Sequence, residues 1–184
     1  GQLGKAAAIY REHASGEDVV ARRGLDRVEI AAGEVARVGA RRFQELRDAR
    51  ALGTRVGALE ALADLDLYER HDANAAVVSF IAILEITKDH IPSLRQLERH
   101  YMDQGRLADL ASVEHELVNY LADPQDVTAH ARLCARLSLQ GTGALGEFAD
   151  DVLIRAGERG EMDLWLARRL IAAARRVDNP AAVA

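Results

Sequence analysis

Apolar residues recur along the chain at intervals of three and four, which is the spacing of one face of an α-helix. Val77, Phe80 and Leu84 follow this spacing, and the same pattern continues through 94–101 and 107–121. Short polar or glycine-containing segments interrupt the pattern and divide the chain into about ten helices, each roughly 12–18 residues long. We find no convincing β-strand pattern, so the sequence predicts an all-α protein.

The composition supports this prediction. Of the 184 residues, 49% are hydrophobic, but only 4% are aromatic and three are proline. Alanine and leucine dominate the apolar residues, and alanine is the strongest helix former. The length suits one compact domain or a short repeat array. A single cysteine, Cys134, excludes an intrachain disulfide and a multi-cysteine zinc site.

Residues 91–126 have the pattern of a helix–turn–helix unit. Leu94, Leu97 and Tyr101 form an apolar stripe on the first helix, Gly105 permits a tight reversal, and Pro124 follows the second helix. This unit resembles the tetratricopeptide repeat (TPR), a helical pair of about 34 residues. The match is best over 57–124.

The resemblance implies one repeat domain over 1–184, a right-handed α-solenoid of antiparallel helix pairs that is a fragment of a larger repeat protein. Each helical pair would pack on its neighbours along the array. We expect a partial unit near 1–17, an irregular segment at 18–56, units at 57–90, 91–126 and 127–160, and a terminal helix at 161–178.

The sequence departs from the TPR pattern at particular positions. Asp64 and Glu98 replace the small residue at the eighth position, and Leu110 replaces the small twentieth residue. Glu114 and Asp150 replace the aromatic residue at the twenty-fourth position. These departures are typical of a degenerate helical repeat.

Three motifs suggest chemistry, and each has a structural interpretation that we favour. Residues 141–146 spell G-x-G-x-x-G, but a dinucleotide site needs a preceding strand, and 129–140 has a helical pattern. His130 and Cys134 share a helix face, yet two metal ligands are too few, so Cys134 is interpreted as a packed core thiol. Asp64 and Asp66 are two apart and point to different helix faces, which argues against paired acid–base catalysis. We therefore expect no enzyme, no metal and no cofactor.

In TPR proteins the first helices of the units line a concave groove. Arg95 and Arg99 stand one turn apart and could together hold a peptide carboxylate. Alternatively, they could pair with Glu98 or Asp103 on a solvated surface. The resemblance places nine residues at groove positions: Leu65, Tyr68, Glu69, Arg95, Arg99, Met102, Thr128, Ala135 and Ser138.

The resulting functional hypothesis is a protein–protein interaction module that binds a peptide or protein segment in its groove. One alternative is a self-associating scaffold that uses the C-terminal helix near 160–176, where Trp165 is the only tryptophan. Another is a ligand-sensing or regulatory domain attached to an enzyme. The role of the arginine-rich segment 37–50 is left open.

The net charge and the length of the apolar runs limit the classes of partner that we expect. The formal net charge of −5 argues against a general nucleic-acid binder, which needs a basic surface to displace phosphate counterions. We expect no membrane span, since the longest apolar run, 75–86, is shorter than the ~20 residues that a bilayer requires. Only Lys5 and Lys88 of the 24 basic residues are lysine, a bias typical of GC-rich bacteria. The chain does not begin with methionine, so the location is open, with the cytoplasm favoured over the periplasm.

Overall fold

The computed structural model describes residues 2–14, 19–140, 144–159 and 162–176. Within these residues the regular structure is entirely helical, which confirms the all-α prediction. The ten α-helices are α1 (Gln2–His13), α2 (Val19–Ala31), α3 (Val35–Asp48), α4 (Leu52–Asp64), α5 (Ala73–Ile86), α6 (Ile91–Asp103), α7 (Leu107–Tyr120), α8 (Pro124–Gln140), α9 (Ala144–Gly157) and α10 (Leu164–Arg176).

The chain divides into two compact units, Gly1–Ile86 with α1 to α5 and Thr87–Ala184 with α6 to α10. In the first unit each helix packs against the next one along the chain. In the second unit consecutive helices also pack together, and α7 contacts α9 while α8 contacts α10. Contacts between every second helix are what a two-layer, repeat-like helical array produces. A single continuous array over 1–184 remains a prediction.

In the second unit, the predicted apolar stripe of α6 lies in the core. Leu94, Leu97 and Tyr101 are buried, as are Leu110 and Leu117 on α7, the helix against which α6 packs. The reversal between α6 and α7 occurs where the sequence predicts it. Gly105 has a φ of 64°, a left-handed conformation that glycine adopts without steric penalty.

The end of α6 is a complete Schellman motif, in which the last helical carbonyls are satisfied by the residues that follow. The Gly105 amide donates to the Met102 carbonyl, and the Arg106 amide donates to the Tyr101 carbonyl. The same two-bond arrangement ends α2 around Gly33, which has a φ of 81°. Glycine therefore sets one helix reversal in each unit.

In the first unit, α4 continues without a break into a π-helical segment, Leu65–Glu69. Its wider turn hydrogen-bonds five residues back instead of four. His71 follows with a φ of 55° and ends the helix, and Asp72 then caps α5 by accepting a hydrogen bond from the Ala75 amide. The π-helical segment lies in a unit for which the sequence predicts ordinary α-helical spacing.

Two further expectations concern the G-x-G-x-x-G segment and the lack of a membrane-spanning helix. The segment before the G-x-G-x-x-G pattern is helix α8, as predicted, while residues 141–143 themselves lie outside the described residues. None of the helices described is both long enough and apolar enough to cross a bilayer.

Candidate functional site

The nine predicted groove residues differ in exposure. Three of them, Leu65, Thr128 and Ala135, are buried and belong to the helix packing, so they offer no surface to a partner. The Thr128 hydroxyl also donates to the Pro124 carbonyl one turn earlier. The side chain of Ser138 lies outside the described part of the chain. The exposed residues are Tyr68 and Glu69 in the first unit, and Arg95, Arg99 and Met102 in the second.

The three exposed residues of the second unit lie on one face of α6, because their spacing of four and three residues is that of successive helical turns. Arg95 reaches outward to α8, where its Nη2 donates to Asp126 Oδ2 at 3.4 Å. Arg99 forms no ion pair within the described residues. The alternative pairings with Glu98 and Asp103 are not found there either. We call Arg95, Arg99 and Met102 the α6 face.

Beneath the α6 face lies a buried cluster with one side chain from each of three consecutive helices, Glu98 on α6, Glu114 on α7 and His130 on α8. His130 Nδ1 lies 2.5 Å from Glu114 Oε2 and 3.9 Å from Glu98 Oε1. The side chains of Glu114 and His130 are 0% and 4% exposed, and that of Glu98 is 16% exposed. One potential ligand atom from each residue lies within 4.8 Å of the others.

Arg95 connects the α6 face to this cluster. Its Nη1 lies 3.2 Å from Nε2 of His130, the ring nitrogen that faces away from Glu114. Because a guanidinium has only donors, Nε2 must accept this hydrogen bond. In neutral His130 the ring hydrogen therefore lies on Nδ1 and is donated to Glu114.

The surroundings of the cluster shift the acidities of its members. Burial raises the pKa of Glu114, and the nearby Glu98 carboxyl raises it further, although the hydrogen bond with His130 opposes this. Burial alone would lower the pKa of His130, but the Glu114 and Glu98 carboxylates outweigh it and raise that pKa. Protons are thus held more tightly here than on free side chains.

Cys134 is a buried free thiol next to this region, as the sequence predicts for a core residue. Burial raises the pKa of the thiol well above its usual value, with a smaller contribution from the Glu114 carboxylate. A thiol with a raised pKa is a poor nucleophile. The thiol does not belong to the cluster, so His130 is grouped with two glutamates and not with Cys134.

The sequence contains a signal for the two glutamates. In the TPR register that the sequence predicts, Glu98 and Glu114 are departures, at positions where the repeat has a small and an aromatic packing residue. These positions face the helix–helix contacts, and an ionisable group is rarely buried there without a partner. Residue spacing within one helix does not show this grouping, because the two glutamates and His130 lie on three different helices.

The first unit contains a second set of buried charges, which involves the arginine-rich segment. Glu29 accepts hydrogen bonds from Arg41 at 2.8 Å and from Arg11 at 3.1 Å. Arg41 and Arg42 also both bond to Asp26. Burial would raise the pKa of Glu29, but the two arginine contacts outweigh it and lower that pKa. These arginines balance buried carboxylates within the protein.

The aspartates considered for acid–base catalysis diverge, as predicted. Asp66 is buried and accepts a hydrogen bond from Arg70 at 2.8 Å, while Asp64 is exposed. The pKa of Asp64 is raised by partial burial and by the neighbouring Glu60 carboxylate. The two carboxylates therefore do not form a pair.

The fold defines the class of this protein, an all-α chain with repeat-like helical packing. Comparison with protein-family models, with curated proteins and with solved structures finds no match. The TPR assignment and any function are therefore proposals that rest on the residues of this chain.

Proposed function

We propose that the chain is a protein-interaction module, a TPR-like α-solenoid whose α6 face binds a peptide or protein segment that carries a carboxylate. The observation that carries this proposal is the alignment of Arg95, Arg99 and Met102 on one exposed helix face. Arginine suits a carboxylate because its planar fork can donate two parallel hydrogen bonds. Met102, at 47% exposure, adds an adaptable apolar contact beside the two cations.

The two arginines contribute differently. Arg95 is already held by His130 and Asp126, so a ligand must compete with both of these contacts. Within the part of the chain that the structure describes, the Arg99 side chain has no ion-pair or hydrogen-bond partner, so its guanidinium can donate to a ligand. We therefore assign Arg99 as the main anchor for a partner carboxylate.

The experiment selects binders from a displayed library of C-terminal peptides and measures one selected peptide by fluorescence anisotropy. We expect Arg99→Glu to weaken binding by about 10- to 100-fold, the equivalent of one lost charge-assisted hydrogen bond. The matched control is Arg55→Glu, which reverses an exposed arginine on α4 and should leave the affinity unchanged. Failure to enrich any peptide, or equal losses in the two variants, would refute the proposal.

Arg95 is unsuitable for the same test, although it belongs to the α6 face. Charge reversal there would place a carboxylate next to His130 and the buried glutamates. Any loss of binding would then be mixed with a loss of stability. The Arg99 variant avoids this because, among the described residues, Arg99 forms no hydrogen bond or ion pair with the cluster.

A second candidate function is self-association through α10. Leu164 and Trp165 are 69% and 41% exposed at the start of this helix, an adjacent pair of large apolar side chains. The Arg169 guanidinium lies 5.6 Å from the centre of the Trp165 ring. Sedimentation velocity at high concentration should show a dimer that Leu164→Glu with Trp165→Glu converts to a monomer. A monomeric native chain would exclude this function.

A further inference from the structure

The carboxylates of the buried cluster of Glu98, Glu114 and His130 have no direct ion-pair partner among the arginines and lysines that the structure describes. With both carboxylates ionised and the imidazole neutral, the cluster holds two negative charges. No arginine or lysine in the described ranges pairs with either carboxylate, and Arg95 contacts the far nitrogen of His130 and Asp126 instead. Since an isolated buried charge is strongly unfavourable, the cluster requires either protons or a cation.

A second observation favours a cation. Oε1 of Glu114 is buried and accepts no hydrogen bond from an N–H or O–H donor of the described residues, whereas Oε2 of the same carboxylate contacts His130 Nδ1. Buried carboxylate oxygens normally have a partner. An unpartnered oxygen next to a second carboxylate and an imidazole nitrogen is the arrangement that a metal ion would complete.

We propose that Glu98, Glu114 and His130 bind a divalent transition-metal ion, for which Zn²⁺ and Mn²⁺ are the probes. Two carboxylates and one imidazole form a mixed oxygen and nitrogen set that suits these ions, and two negative charges balance one ion. Ligand atoms around a four-coordinate Zn²⁺ lie about 3.4 Å apart, given bond lengths of about 2.1 Å. The three atoms lie within 4.8 Å of one another, so small side-chain rotations bring them together.

Metal binding has a defined consequence for His130. Coordination through Nδ1 requires that this nitrogen carry no hydrogen, so the ring hydrogen of the neutral imidazole moves to Nε2. Nε2 then becomes a donor and can no longer accept from Arg95. The Arg95 guanidinium must leave the ring, and Asp126, already 3.4 Å away, is its remaining partner.

The experiment titrates Zn²⁺, and separately Mn²⁺, into the metal-free chain by isothermal calorimetry. All variants carry Cys134→Ser so that the thiol does not contribute to binding. We expect one saturable site, with tighter binding of Zn²⁺ than of Mn²⁺. Glu114→Gln should weaken Zn²⁺ binding by more than about 100-fold, beyond the ~10- to 100-fold losses on removing groups that only orient metal ligands. Glu116→Gln, on the same helix but outside the cluster, should bind as the native sequence does.

Glu98→Gln provides a second test, because Glu98 is less buried than Glu114 and its replacement disturbs the core less. Far-UV circular dichroism checks the fold of each variant, and if Glu114→Gln does not fold, Glu98→Gln carries the comparison. Ring ¹⁵N shifts of His130 should report a change from Nδ1–H to Nε2–H at saturating Zn²⁺. Absence of saturable binding, equal binding by both cluster variants and the control, or unchanged His130 ring shifts would each overturn the proposal.

Discussion

The Glu114–His130 pair offers a direct test of whether the buried cluster contributes to stability or is tolerated at a cost. Each side chain is the hydrogen-bonding partner of the other, and both are almost completely buried. Removing one partner from a buried pair is strongly destabilising, whereas replacing both by apolar residues is often neutral or stabilising. Each single leucine substitution should therefore destabilise the protein, whereas the double substitution should destabilise it less than the sum of the two.

The two single substitutions should lower the free energy of unfolding by different amounts. His130→Leu leaves the fully buried Glu114 carboxylate without a hydrogen-bond donor among the described residues, and we expect the free energy of unfolding to fall by about 3–5 kcal/mol. Glu114→Leu leaves the Nδ1–H of His130, for which Glu98 Oε1 at 3.9 Å is a nearby substitute acceptor. We expect this variant to lose about 1–3 kcal/mol, the penalty for one unsatisfied buried donor.

The double variant should recover most of this loss. With both polar groups replaced by leucine, no unpaired buried group remains from the pair, and we expect a stability within about 1 kcal/mol of the native chain. Glu114→Leu thus rescues His130→Leu. Losses that simply add in the double variant would refute this account of the pair.

Urea unfolding at pH 7 with EDTA present measures these differences. The only tryptophan, Trp165, lies in the same compact unit as the cluster, so its fluorescence reports on the relevant part of the chain. This matters because a chain with two units need not unfold in one step. The exposed Asp151–Arg155 pair, substituted by alanine in the same scheme, is the control and should show an interaction of about 0.5 kcal/mol or less.

Two further predictions concern the first unit, and both are measured by equilibrium unfolding. Glu29→Gln should lower the free energy of unfolding by about 1.5–3 kcal/mol, because the Glu29 side chain accepts charge-assisted hydrogen bonds and is only 1% exposed. Glu34→Gln, which changes an exposed pair, should lower it by about 0.5 kcal/mol or less. Because the folded pKa of Glu29 is lowered, its contribution to the free energy of unfolding is complete above the unfolded pKa of 4.5 and disappears as the pH falls through the folded pKa. A stability difference between Glu29→Gln and the native chain that grows on acidification would contradict this. Gly24→Ala should lower the free energy of unfolding by about 1–3 kcal/mol because its Cβ would clash with the Tyr10 ring. Gly57→Ala, with open space around its Cβ, should instead gain about 0.5–1 kcal/mol, and equal effects at the two glycines would contradict the packing argument.

The parts of the fold that follow from local pattern were predictable from the sequence. The stripe of Leu94, Leu97 and Tyr101 is buried on α6, and the reversal falls at Gly105. Both depend on interactions within a few residues, namely the helical period and the left-handed conformation that glycine permits. A single sequence contains this information directly.

The groove positions depend on longer-range information and were less predictable. Leu65 was expected on the groove, but it is buried at the start of the π-helical segment Leu65–Glu69. Leu65 is three residues after Leu62, which is also buried on α4, so helix packing and not its count in the repeat determines its exposure. Thr128 and Ala135 were assigned from a predicted unit that begins 36 residues after the previous one, two more than the repeat norm. Both are buried, since a small shift in register moves a residue from one helix face to another.

The cluster could not be predicted from residue spacing within one helix. Successive members of the set Glu98, Glu114 and His130 are 16 residues apart in sequence, and they meet because three consecutive helices bring one side chain each to the same place. This coincidence depends on helix lengths and reversals, which sequence patterns locate only to within a few residues. Departures from a packing pattern are therefore the more useful signal, because a charged residue at a core position needs a partner from another helix.

Arg95 links the two proposals, because it belongs to the α6 face and also bonds to His130. A metal ion on Nδ1 of His130 would displace the Arg95 guanidinium from the ring, and this would remove one of the contacts with which a bound carboxylate must compete. Zn²⁺ should therefore increase the affinity of the α6 face for its peptide. By thermodynamic linkage the peptide should increase the affinity for Zn²⁺ by the same factor. Measuring both factors on one chain tests the linkage, and Arg95→Met should remove it, since that side chain has no hydrogen bond to exchange.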